Sequence, residues 1–204
     1  MNIIYLENEL PFLDRDVNVW TVNFNQHKTK IKVRDEEGNE TEKEVWEIHQ
    51  QRFDWRIPTI SERYNAIIDA IDAYDKSINV NSFYCNGRQY WIDRDTRVSL
   101  MNSTTILKNS GVEMTTLWFG TESFTIPCDL LLQLLGALEQ YALACYNVTA
   151  QHKAHVWAGA PDDSIYYDYT AGYPEKLTFD IPPFETAETP ETPETHETTE
   201  TPAE

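Results

Sequence analysis

The chain has 204 residues and a formal charge of −18, from 34 acidic and 16 basic side chains, with 6 Trp, 11 Tyr and 8 Phe. That length suits one domain with a small appendage, and the aromatic content is enough for a real core. The charge argues against duplex DNA and anionic membranes as partners, because both demand neutralising Lys and Arg.

The charge is unevenly placed. The segment from Glu185 to Glu204 carries seven Glu and no Lys or Arg, so the remaining body stands near −11. Cys85, Cys128 and Cys145 are odd in number, lack metal-type spacing and sit among apolar neighbours, which predicts buried free thiols. Met1 to Glu7 lacks a basic start and meets acid too early for a signal peptide. The longest apolar stretch, Leu130 to Cys145, is broken by Gln133, Gly136, Glu139 and Gln140 and is too short to span a bilayer. No membrane insertion is expected.

Residues 1–57 read as a β-rich unit. Trp20, Val22 and Phe24 alternate with polar residues, as do Ile31 and Val33. Asp35 to Glu40 reads as a charged turn between Lys30–Arg34 and a second run at Val45–His49. So small a sheet must pack on the rest of the chain or on a partner. Thr59 and Glu62 then have capping-box spacing at the start of a helix. Tyr64, Ile67, Ile68, Ile71, Tyr74 and Ile78 form its apolar stripe, leaving Asp69, Asp72 and Asp75 on solvated faces.

Asn86-Gly87 between Phe83–Cys85 and Arg88–Ile92 predicts a hairpin with a type I′ turn. Asp93 to Asp95 can cap a helix over about Thr96–Lys108. A second hairpin follows, Met114–Phe119 and Ser123–Ile126 around Gly120-Thr121. Pro127 suits the first turn of a third helix, from about Cys128 to Trp157. Its apolar arc exceeds half the circumference, so it is either a central helix or partly an oligomer interface, with Leu132 and Leu143 at the arc's edge. A Tyr-rich segment with Tyr166, Tyr167, Tyr169 and Tyr173 should lie back over the body as far as Ile181. From Glu185 the six Glu-Thr-x repeats lack large apolar residues and should be disordered.

Catalytic signatures are missing from this pattern: no Gly-x-Ser-x-Gly elbow, no phosphate-cradling loop and no dinucleotide fingerprint. His152 and His155 share a helix face without a third ligand nearby, which favours a solvated face over a metal site. Asp14-Arg15-Asp16 and Asp93-Arg94-Asp95 could be read as carboxylate pairs; the first lies in the weakest-patterned region, the second is explained by a helix cap and turn, and Asp162-Asp163 reads as a turn or cap. Trp20, Trp46, Trp55 and the four tyrosines are candidates for sugar stacking, with ordinary packing the preferred reading. No enzyme, cofactor, catalytic residue or metal is expected.

Phe83, Asn86-Gly87, Trp91-Ile92-Asp93 and Arg97 begin a run that continues through Leu117-Trp118-Phe119, Ser123 to Pro127 and Tyr141 to Thr149. It ends at Asp168 to Pro174, Lys176-Leu177 and Phe179. These residues resemble the domain of unknown function found in phage and prophage tail fibre and tail fibre assembly proteins, in versions like those of Bacteroides-type phages. The resemblance covers about residues 60–180.

The expected fold is α+β, two hairpins making a four-stranded antiparallel sheet on two to three helices. The units are an N-terminal β-rich appendage (1–57), the phage-type domain (58–184) and a disordered tail (185–204). The resemblance implies a virion-associated protein of the tail region, made in the host bacterial cytoplasm. Such a protein would contact other phage structural proteins, with a homo-oligomer as a further option, and no nucleic acid. Its rivals are an assembly chaperone that leaves the particle and a glycan-binding host-recognition protein.

Overall fold

A computed structural model describes residues 1–34, 38–119 and 122–182. The tips at 35–37 and 120–121, and the Glu-Thr-x segment, lie outside the described residues. The fold is α+β, with three α-helices and nine strands among those described.

Four strands make an antiparallel sheet in the order β1-β4-β3-β2: β1 (Asn2–Leu6), β2 (Leu13–Asp16), β3 (Val19–Arg34) and β4 (Glu40–Asp54). The two long strands run the length of a hairpin whose register differs from the expected one. Lys30–Arg34 pairs with Glu40–Glu44, while Val45 pairs with Thr29 and His49 with Phe24. The strands are longer than the alternating runs suggest, because the ladder continues into the charged residues on both sides of the tip. Beyond the pair Lys28↔Trp46, neither outer strand flanks the hairpin: β1 ends opposite Trp46, and β2 pairs only with Val19–Val22. Lys30–Arg34 and Glu40–Glu44 therefore form a two-stranded arm of five register pairs, roughly 17 Å long at the usual rise per residue.

The base of the same hairpin is core. Val22, Phe24 and Ile48 are fully buried, and Val22 and Phe24 pack with Ile67, Ala70 and Ile71 of α1 (Ile60–Asp75), Val156 and Tyr169. Residues 1–57 thus share one apolar cluster with the rest of the chain. Helix α1 starts as its residues dictate: Thr59 Oγ1 accepts from Glu62 N at 3.3 Å, and Thr59 N donates to Glu62 Oε2 at 2.8 Å. The helix ends at Asp75, so Ile78 falls beyond the stripe and is exposed. Asp69 is exposed, but Asp72 and Asp75 are not simply solvated. Asp72 pairs with Lys153, and Asp75 accepts from Thr149 Oγ1 at 2.7 Å, so both tie α1 to the long helix.

The Asn86-Gly87 turn has φ of +49° and +77°, the two positive angles that a type I′ turn requires. It joins β5 (Phe83–Cys85) to β6 (Arg88–Tyr90), and Asp93 caps α2 (Arg94–Asn109) through Thr96 N at 2.8 Å. Strands β7 (Met114–Phe119) and β8 (Glu122–Pro127) form the other hairpin, with Leu117 opposite Phe124.

The two hairpins do not join into one four-stranded sheet. β5 instead takes β9 (Thr178–Phe179) as its second neighbour, in parallel, and β7–β8 stands alone. The returning C-terminal segment occupies the edge that a second hairpin would need: Tyr84 N donates to Leu177 O and Asn86 N to Phe179 O. The two hairpins meet through side chains instead, with Tyr90 and Phe119 stacked at 4.6 Å between centroids.

α3 (Cys128–Ala158) is the central helix, packed on α1, α2 and β8. Leu131, Leu135 and Leu138 join one core cluster and Tyr141 and Cys145 another. Arg97, 8% exposed, ties α2 to it by donating to Glu139 Oε1 at 2.7 Å and to Ile92 O at 2.7 Å. Leu143 looks outward at 61% exposure, whereas Leu132 is half-buried. All three cysteines are buried free thiols.

Candidate functional site

The most developed cavity lies where one face of the four-stranded sheet meets the C-terminal end of α1. In an antiparallel ladder, directly opposed residues share a face. The register therefore places Ile3, His49 and Phe24 in one row across β1, β4 and β3, and Tyr5, Glu47 and His27 in the next. The second row depends on a bulge: the ladder slips between Phe24 and His27, setting Asn25 and Gln26 together against Ile48, one residue more on β3 than on β4. Asn25 takes a positive φ of +49°, which Asn tolerates better than most side chains. Gln26 holds the distortion, with its amide accepting from Leu10 N at 2.9 Å and donating to Leu10 O at 2.7 Å. Without the bulge, His27 would face the other side of the sheet.

From these rows Ile3, His49, Glu47 and His27, together with Met1, line a cleft of about 390 Å³, closed on the far side by the end of α1 at Ala73 and Tyr74, by Ser77 and Asn79, and by Tyr169 and Thr170. His49 is 3% exposed, and burial pushes its imidazole below the ordinary value of 6.5 despite the opposing pull of Glu47. It is neutral at pH 7 and carries one ring proton. Burial also pushes the Tyr169 phenol well up, so its hydroxyl stays protonated, and it is hydrogen-bonded to His49 Nδ1. With its proton on Nε2, the ring points that N–H at Glu47 Oε1 at 3.4 Å. The same nitrogen lies 3.4 Å from Asn25 Nδ2, and Asn25 Oδ1 is the buried side-chain polar atom left without a partner among the described residues. Turning that amide over gives the ring N–H a second acceptor. On the open side, His27 Nε2 stands 4.0 Å from Glu47 Oε1.

Chemically the cleft is an aromatic-walled pocket around one carboxylate. Among the described residues, the ion-pair partners of Glu47 are two imidazoles, with no Lys or Arg. The Asp168 carboxylate adds to the negative field, raising Tyr74, Tyr167 and Tyr169 after burial has done so. No group of three or more His, Cys, Asp or Glu among the described residues is placed to hold a metal ion.

The residues that the sequence singles out fall elsewhere or turn structural. His152 is buried rather than solvated, bonded through Nδ1 to the Tyr167 hydroxyl at 2.7 Å and through Nε2 to Ala171 O at 3.0 Å. The returning C-terminal segment covers the helix face that would otherwise meet water. His155 stacks on the Tyr167 ring at 4.0 Å. Asp163 caps a 3-10 turn by accepting from Ala160 N at 2.8 Å, and Asp14 and Asp16 lie on β2. Of the sugar-stacking candidates, Tyr169 is core and Tyr167 and Tyr173 are half-buried. Trp46 stands against Tyr166 at 6.4 Å, and Arg15 lies over Trp20 at 5.5 Å. Trp55 is 81% exposed.

His27, Glu47 and His49 carry no motif spacing of their own. Alternation places Glu47 and His49 on one face, but only the bulge adds His27, and no sequence signal marks the bulge.

No family model matches the sequence, no curated protein matches it, and no solved structure matches it. No helix among the described residues is long and apolar enough to cross a membrane.

Proposed function

We propose that the chain is a non-enzymatic adaptor of a phage tail region, working by protein–protein contact. The arm at Lys30–Arg34 and Glu40–Glu44 carries this reading. A lone two-stranded ribbon is marginally stable in water and needs a third strand, a helix or a partner surface. Here one face bears the ion pairs Lys30–Glu42 at 3.4 Å, Lys32–Glu40 at 3.9 Å and Arg34–Glu40 at 2.9 Å, and the other bears Ile31 and Val33 beside Lys43 and Thr41. Val33 is 38% exposed. An arm with a charged face and a mixed face, on which Ile31 and Val33 stand beside Lys43 and Thr41, extends past the flanking strands and is suited to lie on another protein. The tail context rests on the resemblance of residues 60–180 to the phage-type domain. The partners are then other structural proteins of the particle.

Mass spectrometry of purified particles, beside the lysate they came from, tests this. The expected result is this chain in the particles in proportion to their tail proteins. Its presence in the lysate alone would replace the structural reading with that of an assembly chaperone.

A further inference from the structure

We infer that the cleft beside β1 is a docking site for an extended, basic segment of a partner protein, which adds to the sheet along β1 and places a Lys or Arg side chain against Glu47. The inference rests on the reading of the chain as a protein-contact module and supplies the chemistry of one contact.

Three observations converge on it. The first is the edge. Among the described residues, β1 has β4 on one side and no strand on the other. It is free of charged residues, and Ile3, Tyr5 and Leu6 are 46%, 49% and 37% exposed. An open, apolar, uncharged edge is the template to which an extended peptide adds a strand.

The second is continuity between that edge and the cavity. Ile3 lines the cleft, and its row continues inward to His49. A strand added outside β1 extends the rows of Ile3 and Tyr5 by one residue each, and β4 then lies two strand spacings, about 10 Å, away. A long side chain on the added strand and the side chain of Glu47 reaching back can close that gap, whereas a short one cannot.

The third is charge. Among the described residues Glu47 has no Lys or Arg in ion-pair reach: its neighbours are the His49 ring, kept neutral by burial, His27 at 4.0 Å and the Tyr5 hydroxyl, and the Tyr74 and Tyr169 rings, 6.1 Å apart, wall the same cleft. A carboxylate flanked by aromatic faces suits an ammonium or guanidinium group. The chain as a whole, at −18, draws basic partners and repels acidic ones. A second copy of this chain offers β1 only its own uncharged strand, with nothing to place at Glu47.

The test is titration of the isotopically labelled full chain, followed by amide NMR, with three probes. One is an acetylated, amidated hexapeptide of alternating Thr and Val with one central Lys. The second has norleucine in place of that Lys, and the third is n-butylammonium. The Lys peptide should shift the amides of Asn2–Leu6, Glu47 and His49 saturably and slow hydrogen exchange along β1. It should bind about tenfold more tightly than the norleucine peptide, the factor expected for one charge-assisted hydrogen bond. Glu47→Gln should remove that difference. Ala73→Lys, a change at an exposed helix position lining the cleft, should do the same by supplying an ammonium from within.

Equal binding of the two peptides overturns the inference. Saturable binding of n-butylammonium without the Lys peptide also overturns it, leaving a small-cation pocket. No saturable shift with any probe overturns it as well. None of these outcomes bears on whether the chain is found in particles, so failure here is distinguishable from failure of the adaptor reading.

Discussion

The hairpin of β3 and β4 is two different objects at its two ends. At the base, Val22, Phe24 and Ile48 are fully buried and the strands have neighbours on both sides. In the arm, the same two strands have no outer neighbours, and Lys30, Lys32, Arg34, Glu40, Glu42 and Glu44 are all exposed. Both halves are laddered, the base with a bulge at Asn25 and Gln26 and the arm without one, so backbone pairing does not favour the base. Apolar burial does, at roughly 25 cal/mol per Å² of surface removed from water, against little for exposed ion pairs. The base is therefore where this unit gains its stability, and the arm adds little to it.

Phe24→Ala attacks that division at its strongest point. Phe24 is fully buried among Val22, Ile67, Ile71 and Tyr169. Deleting its ring should cost about 3–5 kcal/mol through lost burial and the cavity left behind. For a chain of this size that lowers the melting temperature by more than about 6 °C. A drop of only a degree or two, measured by calorimetry, would mean that the base of the hairpin is not part of the cooperative core.

Tyr169→Phe is a finer probe of the same region. It keeps the ring and removes the hydroxyl that is hydrogen-bonded to His49 Nδ1. A buried ring nitrogen left without its partner costs about 1–3 kcal/mol. Urea unfolding should show a lower midpoint with an unchanged slope. A midpoint equal to that of the wild type would show that the hydrogen bond contributes nothing net.

His49 also makes the base respond to pH. Its folded-state value is lowered from 6.5, chiefly by burial. The unfolded chain therefore takes up a proton at a pH where the folded chain does not. The stability this group contributes is complete above about pH 6.5 and is lost as pH falls towards the folded value. Wild type should lose more melting temperature between pH 7 and pH 5 than His49→Gln does. Parallel curves for the two proteins would show that the imidazole titrates alike in both states.

What could be read from the sequence follows the same line between local and distant causes. The Thr59–Glu62 capping box, the Asn86-Gly87 turn and the Asp93 cap are decided within four residues, and each stands where its residue types put it. The α+β class and the extent of α3 follow from periodicity. The register of β3 on β4 does not, because the bulge at Asn25 and Gln26 depends on bonds to Leu10 and to Ile165 O. The burial pattern of β1 has no alternation to betray a strand, and its partner is more than forty residues away. The candidate cleft inherits both difficulties: its residues come from β1, β3, β4, the end of α1 and the returning C-terminal segment. Likewise, His152 reads as solvated until Tyr167 and Ala171 are folded back over it.

The smallest expected effect is in the arm, where it is the most informative. Lys30 and Glu42 are 71% and 62% exposed and 3.4 Å apart. An ion pair of that exposure is held in high dielectric and pays the entropy of ordering two long side chains. Lys30→Ala should therefore change stability by no more than about 0.5 kcal/mol. Replacing residues 30–44 by an Asn-Gly turn goes further, joining Thr29 directly to Val45, which it faces in the ladder. This removes five of the six register pairs that lack flanking strands, together with the residues between them, and leaves Val22, Phe24 and Ile48 untouched. The melting temperature should then stay within about 2 °C of wild type, the equivalent of roughly half a kcal/mol at this chain length. If the arm is a contact for another protein, the shortened chain should fold normally and yet be missing from particles assembled in its presence. A large fall in melting temperature would instead make the arm part of the folding unit, and the division between base and arm would not hold.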